Sequence, residues 1–183
     1  MESSLLRMLG AIMCALAATA NVVPVQDFEL EKMAGKWYIV AMASDAHWFV
    51  NNKAEMKMGT VVLAPTTEGN LDITFANRKA DGSCWRQSHL ANKTDSPRHF
   101  VFHSSVWNND NDMHFVKVQY DDFALVSTNK TRDGASVTLN ALYKRNQEVS
   151  EELQQEFKEF SLEKETQADN IVMLPKYDEC SEA

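Results

Sequence analysis

Residues 35–143 alternate between short β-rich runs and turn residues, and this pattern restricts the fold more than any other feature of the chain. β-Branched and aromatic residues are frequent in the runs, whereas Gly, Asn, Asp and Pro separate them. The eight runs span residues 37–40, 60–63, 71–75, 84–87, 99–102, 113–118, 123–127 and 137–143, with a polar turn predicted at 108–112. Such spacing, with alternating faces, predicts an antiparallel β-sandwich or β-barrel.

The hydrophobic period changes once, after the last run. The apolar residues that recur there at helical spacing are Val149, Leu153, Phe157 and Phe160. With Ser150 placed as an N-cap, they predict an amphipathic helix of about three turns that packs on the sheet. A last apolar run, 171–174, predicts a short ninth strand.

The first twenty residues have the pattern of a secretory signal. Arg7 precedes an apolar run, 8–17, which is shorter than the about 20 residues of a membrane-spanning helix, and a small-x-small pattern ends at Ala20. We expect a signal peptide over 1–20 and one secreted domain over 21–183, without stable membrane insertion. An uncleaved N-terminal membrane anchor is the alternative.

The chain is acidic, with 26 acidic against 18 basic residues and a formal net charge of −8. A surface of this sign has no electrostatic attraction for nucleic acids or anionic membranes, and it favours a soluble monomer. We therefore expect neither class of partner.

The cysteines suit an oxidising compartment. Of the three, Cys14 lies in the expected signal segment, which leaves Cys84 and Cys180. A single pair in a secreted domain predicts one disulfide that ties the C-terminal tail to the body. In the chain-entropy model, closing a loop of about 100 residues contributes about 4–5 kcal/mol.

Both ends of the β-rich region carry a recognisable signature. Gly35-Lys36-Trp37 resembles the G-x-W motif that begins the first lipocalin strand, and Arg145 stands where that family places an Arg over the Trp. Together with the late helix and the cysteine pair, these residues indicate a resemblance to the lipocalin family. The resemblance implies an eight-stranded antiparallel up-and-down β-barrel, the lipocalin calyx, with one C-terminal helix on its wall. Its Arg–Trp cation–π pair is worth about 1–2 kcal/mol when desolvated.

Longer stretches are similar to the lipocalin-type prostaglandin D synthase branch of that family. The matching stretches are residues 42–44 with Trp48, then 62–65, 120–125, 141–143 and 169–175. One departure is Val118-Gln119-Tyr120, where the family has Thr-Asp-Tyr. The likeness covers nearly all of the chain after residue 20.

That branch isomerises an endoperoxide with a thiolate on its second strand. Matching residues 62–65 places Gly59 at the position of the nucleophile, and Ile39, Val61 and Phe75 at the positions of the hydroxyl helpers. Glycine offers no ionisable sulfur. The resemblance therefore implies a protein without catalytic residues or cofactor. An isomerase that acts through another group is the runner-up.

The five histidines, His47, His89, His99, His103 and His114, are scattered along the chain. None shows the spacing of a metal site or a catalytic triad. We expect no metal site, and we expect His89 to point into the barrel and orient a ligand.

The resemblance also implies a cavity for one small hydrophobic ligand, such as a retinoid or fatty acid. If Trp37 faces inward, strand alternation turns Ile39 and Ala41 inward as well. The expected lining continues with Met58 or Gly59, Val61, Leu63, Ile73, Phe75, Trp85, His89, Phe100, Phe102, Met113, Phe115, Val126, Leu139, Ala141 and Tyr143. Alternatively, these side chains fill the barrel of a protein-binding or defence lipocalin.

Residues 44–56 correspond to the loop that covers the open end of such barrels. Trp48 and Phe49 either contact the ligand or hold this lid down, and the sequence leaves both readings open. Two sequons, at Asn92 in an expected loop and at Asn129 after a strand, are candidate glycosylation sites.

Overall fold

The computed structural model describes residues 27–180, so the expected signal segment 1–20 lies outside them. The described strands are β1 Gly35–Ala43, β2 Gly59–Pro65, β3 Leu71–Arg78, β4 Cys84–Lys93, β5 His99–Ser104, β6 Asn109–Gln119, β7 Phe123–Arg132, β8 Ala135–Lys144 and β9 Ile171–Met173. The helices are α1 His47–Asn52 and α2 Glu151–Glu163, with short 3-10 turns at Leu30–Met33, Lys53–Glu55 and Ala168–Asn170.

The eight long strands close into a barrel. Each pairs antiparallel with the next along the chain, and β1 pairs with both β8 and β2, as Ile39 does with Tyr143 and Gly59. β9 lies outside this ring, against β1. The eight-stranded up-and-down barrel and the ninth strand are therefore confirmed. In residues 27–180, no helix has the length and apolarity needed to cross a bilayer.

A bulge in β1 changes which side chains face inward. Ile39 pairs with Tyr143, but Ala41 pairs with Leu142, so Val40 is an extra residue on this strand. Because side chains alternate, one extra residue exchanges the two faces beyond it. The prediction that Ala41 lines the cavity is wrong: it packs in the cluster under α2, and Met42 faces the cavity.

The predicted C-terminal helix is confirmed as α2. The Ser150 hydroxyl accepts a hydrogen bond of 3.2 Å from the Leu153 amide and so satisfies one free N–H of the first turn. Phe157 is fully buried and Leu153 nearly so, against Leu142 of the barrel wall. The helix thus covers the outside of the barrel and leaves its interior free.

Trp37 and Arg145 close one end of the barrel. The guanidinium carbon lies 3.7 Å from the centroid of the indole ring, and Trp37 Nε1 donates to the Met33 carbonyl at 2.8 Å. Arg145 also donates to the carbonyls of Tyr120, Lys36 and Lys32 at 2.8, 3.1 and 3.0 Å. This confirms the closed end implied by the resemblance.

The disulfide between Cys84 and Cys180 is present, with its Cα atoms 5.7 Å apart. It joins the start of β4 to the C-terminal tail. The tail also contacts the barrel through Asp178, which pairs with Arg78 at 2.8 Å, and through Glu179, which pairs with Lys36 at 2.7 Å. The prediction of one structural disulfide is confirmed.

Three local predictions differ from the structure. Residues 108–112 are not all turn, because β6 begins at Asn109 and its polar residues alternate between the inside and the outside of the barrel. Asn92 lies at the end of β4 and not in a loop, and Asn129 lies within β7. Both sequon asparagines are exposed on the outside of their strands.

Candidate ligand cavity

A cavity of about 590 Å³ occupies the half of the barrel away from Trp37. It opens at the end, here termed the mouth, formed by the β1–β2 segment and by the β3–β4, β5–β6 and β7–β8 turns. The predicted lining residues that the structure places around it are Ile39, Trp48, Phe75, Trp85, His89, Phe102, Met113, Val126, Leu139, Ala141 and Tyr143. A barrel filled completely by its own side chains does not fit this geometry.

Several predicted lining residues lie elsewhere. Ala41 and Met58 pack in the cluster that includes α2. Met58 and Gly59 border a separate crevice near Cys180. The others belong to the solid core that includes Trp37, and they are Val61, Leu63, Ile73, Phe100 and Phe115. They face inward as alternation predicts. They lie too deep in the barrel to reach the cavity. The alternation of side chains along a strand predicts which face a residue is on, but not how deep it lies.

On β3, β5, β6 and β7 the inward side chains become more polar toward the mouth, whereas β4 has Trp85 at the mouth and His89 deeper. On β7 they run from Ala124 and Val126 to Thr128 and Lys130. On β5, Phe100 and Phe102 give way to Ser104, and the ends of β6 and β3 that lie at the mouth carry Asn109 and Asn77. The cavity therefore has an apolar floor and, on the side formed by β5, β6 and β7, a polar rim, whereas the lining predicted from the sequence held His89 and otherwise apolar or aromatic residues.

Lys130 is the principal polar residue that the sequence analysis missed. Its Nζ donates a hydrogen bond of 2.6 Å to Asn111 Oδ1. Burial lowers the pKa of Lys130 from its ordinary value of 10.5 to about 8. The sequence analysis assigned Asn111 to the polar turn at 108–112, and it placed Lys130 beyond the end of the strand at 123–127. Extending the alternation through those stretches would have placed both inside the barrel.

The other lining residues absent from the prediction are largely polar or lie at the mouth. They are Met42, Asn52, Met56, Lys57, Asn77, Gln87, Ser104, Trp107, Asn109, Asn111, Thr128 and Lys130. No carboxylate is among the described residues of the cavity wall.

His89 stands between two aromatic rings deep in the cavity. Its ring centroid lies 4.8 Å from that of Phe102 and 6.3 Å from that of Phe75. Desolvation lowers the pKa of His89, and the charge of Lys130 lowers it further. The imidazole is therefore neutral at pH 7 and available as a hydrogen-bonding group.

The segment 44–56 forms a short lid over one side of the mouth. Within α1, Phe49 is fully buried, whereas Trp48 is 44% exposed and lines the cavity. Asp45 accepts a hydrogen bond from Asn170 at 2.7 Å, and Lys53 donates to Asn170 at 2.6 Å. Phe49 thus holds the lid down while Trp48 faces the opening.

The space that a side chain at Gly59 would need is already occupied. A Cβ on Gly59 would lie 1.7 Å from Asn77 Oδ1 and 2.9 Å from the Ala76 carbonyl oxygen. Cys84, the cysteine that the structure describes in the middle of the chain, is bonded to Cys180 in the disulfide. The described barrel therefore presents no free thiol to a ligand.

Two histidines are neighbours in space although they are far apart in sequence. His99 and His114 are cross-strand partners with ring centroids 4.1 Å apart, and the Nε2 of each lies 2.7 Å from Asp112 Oδ1. This corrects the expectation that all the histidines are scattered. The three side chains lie on the outer face of β5 and β6, away from the cavity, and they contact one another.

Known proteins share this architecture. In sequence, the chain is 36% identical to a lipocalin of Rhinella marina over 159 residues, which cover 86% of each chain. It is 34% identical to human Lipocalin-15 over 95% of this chain and 94% of that protein, and 29% identical to the prostaglandin-H2 D-isomerase of Canis lupus familiaris over 97% and 92%.

A solved structure is similar over most of the fold. It is that of Ex-FABP, described as a siderocalin that functions through dual ligand specificities, with a TM-score of 0.70 and 25% identity. The match covers 82% of this chain and 99% of that one. Residues 34–178 match the model of the Lipocalin / cytosolic fatty-acid binding protein family. With its barrel, its G-x-W strand and its capping arginine, this chain belongs to the lipocalin family.

Proposed function

We propose that this lipocalin is a secreted carrier that holds one small hydrophobic molecule inside its barrel. The cavity carries the proposal: its volume of about 590 Å³ lies within the roughly 300–1,000 Å³ of small-molecule sites. Its deeper wall is built of aromatic and aliphatic side chains, including Phe75, Phe102 and Val126. Transfer of an apolar molecule from water to such a wall is favourable by about 25 cal/mol per Å² of apolar surface buried.

We also propose that the protein carries its ligand without converting it. The position that resembles the synthase nucleophile is Gly59, and Asn77 fills the adjacent space. The resemblance places Ile39, Val61 and Phe75 where the hydroxyl helpers would be. The prostaglandin-H2 D-isomerases are at about 29% identity, below the two plain lipocalins compared above.

Secretion rests on two observations. The Cys84–Cys180 disulfide is of a kind that persists in oxidising compartments and is rare in the cytosol. Residues 1–20 carry the pattern of a cleaved secretory signal. Mass spectrometry of the protein released by expressing cells would show a chain that begins near residue 21, and an intact N-terminus on released protein would contradict the cleavage.

Tryptophan fluorescence tests the carrier function directly. Three of the four tryptophans, Trp48, Trp85 and Trp107, line the cavity. Retinoic acid or cis-parinaric acid should quench this fluorescence and saturate at one molecule per chain. Ala141→Phe, which fills part of the cavity, should weaken the quenching. Leu90→Phe, at a residue that is 51% exposed, is the matched control and should leave it unchanged.

Failure of both probes, and of other lipophiles, to quench saturably would overturn the carrier function. The absence of catalysis has a separate test, in which the purified protein is incubated with the prostaglandin endoperoxide and a thiol. We expect no prostaglandin D2 above a boiled control. Turnover above that control would favour the isomerase alternative.

A further inference from the structure

We propose that the ligand is an anionic amphiphile whose carboxylate lies against Lys130 Nζ and Ser104 Oγ at the mouth, with its apolar tail in the deeper part of the cavity. This proposal rests on the proposed carrier function and adds the chemical class of the ligand. Three independent features of the cavity support it.

The first feature is an ammonium group without a counter-charge. Lys130 Nζ has three protons to donate, and within residues 27–180 its single hydrogen-bond partner is Asn111 Oδ1, at 2.6 Å. No ion pair forms between Lys130 and any carboxylate in the same range of residues. Because a partly buried charge costs free energy unless it is paired, the cavity favours an occupant that brings the missing negative charge.

The amide that holds this ammonium is itself fixed. Asn111 is 2% exposed, and its Nδ2 donates to Asn109 Oδ1 at 2.9 Å and to the Asn109 carbonyl at 3.3 Å. These bonds orient Oδ1 toward Lys130 and hold the lysine at the cavity wall. The cationic group is thus preorganised, which reduces the entropy lost on binding an anion.

The second feature is a buried hydroxyl. Ser104, 2% exposed on the cavity wall, has no hydrogen-bond partner for its Oγ among the described residues. It lies on β5, two strands from Lys130, with Asn109 and Asn111 of β6 between them. A hydroxyl and an ammonium on the same rim offer one donor for each oxygen of a carboxylate.

The third feature is the polarity of the cavity with depth. Below Lys130 and Thr128 the β7 wall continues as Val126, and below Ser104 the β5 wall continues as Phe102. A molecule polar at one end and apolar along the rest matches this order. A neutral, uniformly apolar molecule would leave the ammonium unpaired.

The electrostatics of the cavity agree with this geometry. The lowered pKa of Lys130, about 8, still leaves the ammonium protonated at pH 7. His89, with its lowered pKa, is neutral there. The remaining cationic side chain on the wall is Lys57, which lies outside the barrel strands in the segment that precedes β2. Lys158, an exposed lysine of α2 that is not part of the cavity wall, serves as the charge control.

The test compares ligands that differ in the head group alone. Hexadecanoic acid and hexadecan-1-ol displace a neutral fluorescent probe, N-phenyl-1-naphthylamine, from the wild-type protein and its variants at pH 7. We expect the acid to bind the wild type about tenfold more tightly than the alcohol, which corresponds to about 1.4 kcal/mol. Lys130→Met should reduce this preference to less than about threefold, and Ser104→Ala should reduce it partly.

Two further variants separate a head-group contact from general damage. Lys158→Met should keep the full preference, and Lys130→Arg should keep most of it, because a cation remains on the cavity wall. Lys130→Met is expected to fold, since it replaces a poorly compensated cation by an apolar side chain of similar length.

The outcomes distinguish the two proposals. If the probe and the alcohol bind but the acid gains nothing, or if Lys130→Met keeps the acid preference, the head-group proposal is overturned and the carrier function stands. If neither the probe nor either ligand binds the wild type, the carrier function itself fails.

Discussion

The side-chain amide of Asn77 occupies the space that a Cβ on Gly59 would need, with 1.7 Å between Asn77 Oδ1 and the position of that Cβ. The two residues lie on adjacent strands of the barrel. In the synthase branch that the sequence resembles, the position of Gly59 carries the reactive thiol. A side chain at position 59 therefore requires Asn77 to move, and a substitution of Gly59 alone does not provide the room.

A double-mutant cycle measures the coupling between Gly59 and Asn77. Gly59→Ala should lower the free energy of unfolding by roughly 1–3 kcal/mol, because the added methyl group must displace Asn77. In an Asn77→Ala background the same change should cost less, although the Ala76 carbonyl, 2.9 Å away, still crowds it. Urea unfolding of the four proteins gives the interaction energy. Equal costs in both backgrounds would show that Asn77 does not limit the site.

Removal of the arginine at the closed end should destabilise the barrel. Arg145→Ala loses the stack on Trp37 and three hydrogen bonds to backbone carbonyls. We expect a loss of about 2–4 kcal/mol in urea unfolding. Arg145→Lys should recover less than half of the lost stability, because an ammonium lacks the planar guanidinium that stacks on the indole and donates to several carbonyls.

The same variants separate stability from binding. Trp37 lies in the core below the cavity, so folded Arg145→Ala should bind a lipophile about as well as the wild type. A large loss of affinity in the folded variant would indicate that the closed end also shapes the cavity.

The disulfide should contribute far more to stability than the ion pairs of the tail. Cys84→Ser with Cys180→Ser opens a loop with a sequence separation of 96 residues, for which the chain-entropy model gives up to about 4–5 kcal/mol. Asp178→Asn removes a pair with Arg78 whose carboxylate is 81% exposed and should cost less than about 0.5 kcal/mol. Thermal unfolding of both variants tests the contrast, and similar losses would contradict it.

The unliganded protein should gain stability from about pH 8 to about pH 9.5. Folded Lys130 loses its proton near its pKa of about 8, whereas the pKa is 10.5 in the unfolded chain. The unfolded state therefore binds more protons in this window, and the free energy of unfolding rises with pH, by roughly 1–2 kcal/mol. Burial raises the pKa of Tyr143, so its ionisation affects stability at higher pH only.

Lys130→Met is the matched variant for this measurement. Its free energy of unfolding should be higher at pH 7 than that of the wild type and nearly flat across the same window. His89 does not contribute, because its lowered pKa lies below the window. A wild-type profile that is flat or falls with pH would show that the ammonium is well compensated in the folded protein.

The sequence by itself determined the strands, the capped helix α2, the disulfide and the pairing of Trp37 with Arg145. These features depend on local periodicity, on a cysteine count or on a motif, and each is visible without knowledge of its neighbours. Local pattern also placed Phe75, Phe102 and Val126 on inward faces. It could not separate them from Ile73 and Phe100, which lie deeper in the solid core.

Tertiary structure decided the rest. The bulge at Val40 depends on the pairing of β1 with β8, and it turns Ala41 out and Met42 in. Asn77 meets Gly59, and Asn111 meets Lys130, only across paired strands. Which residues meet across strands is set by register and closure of the whole barrel, and a period of two within one strand carries no information about its partner.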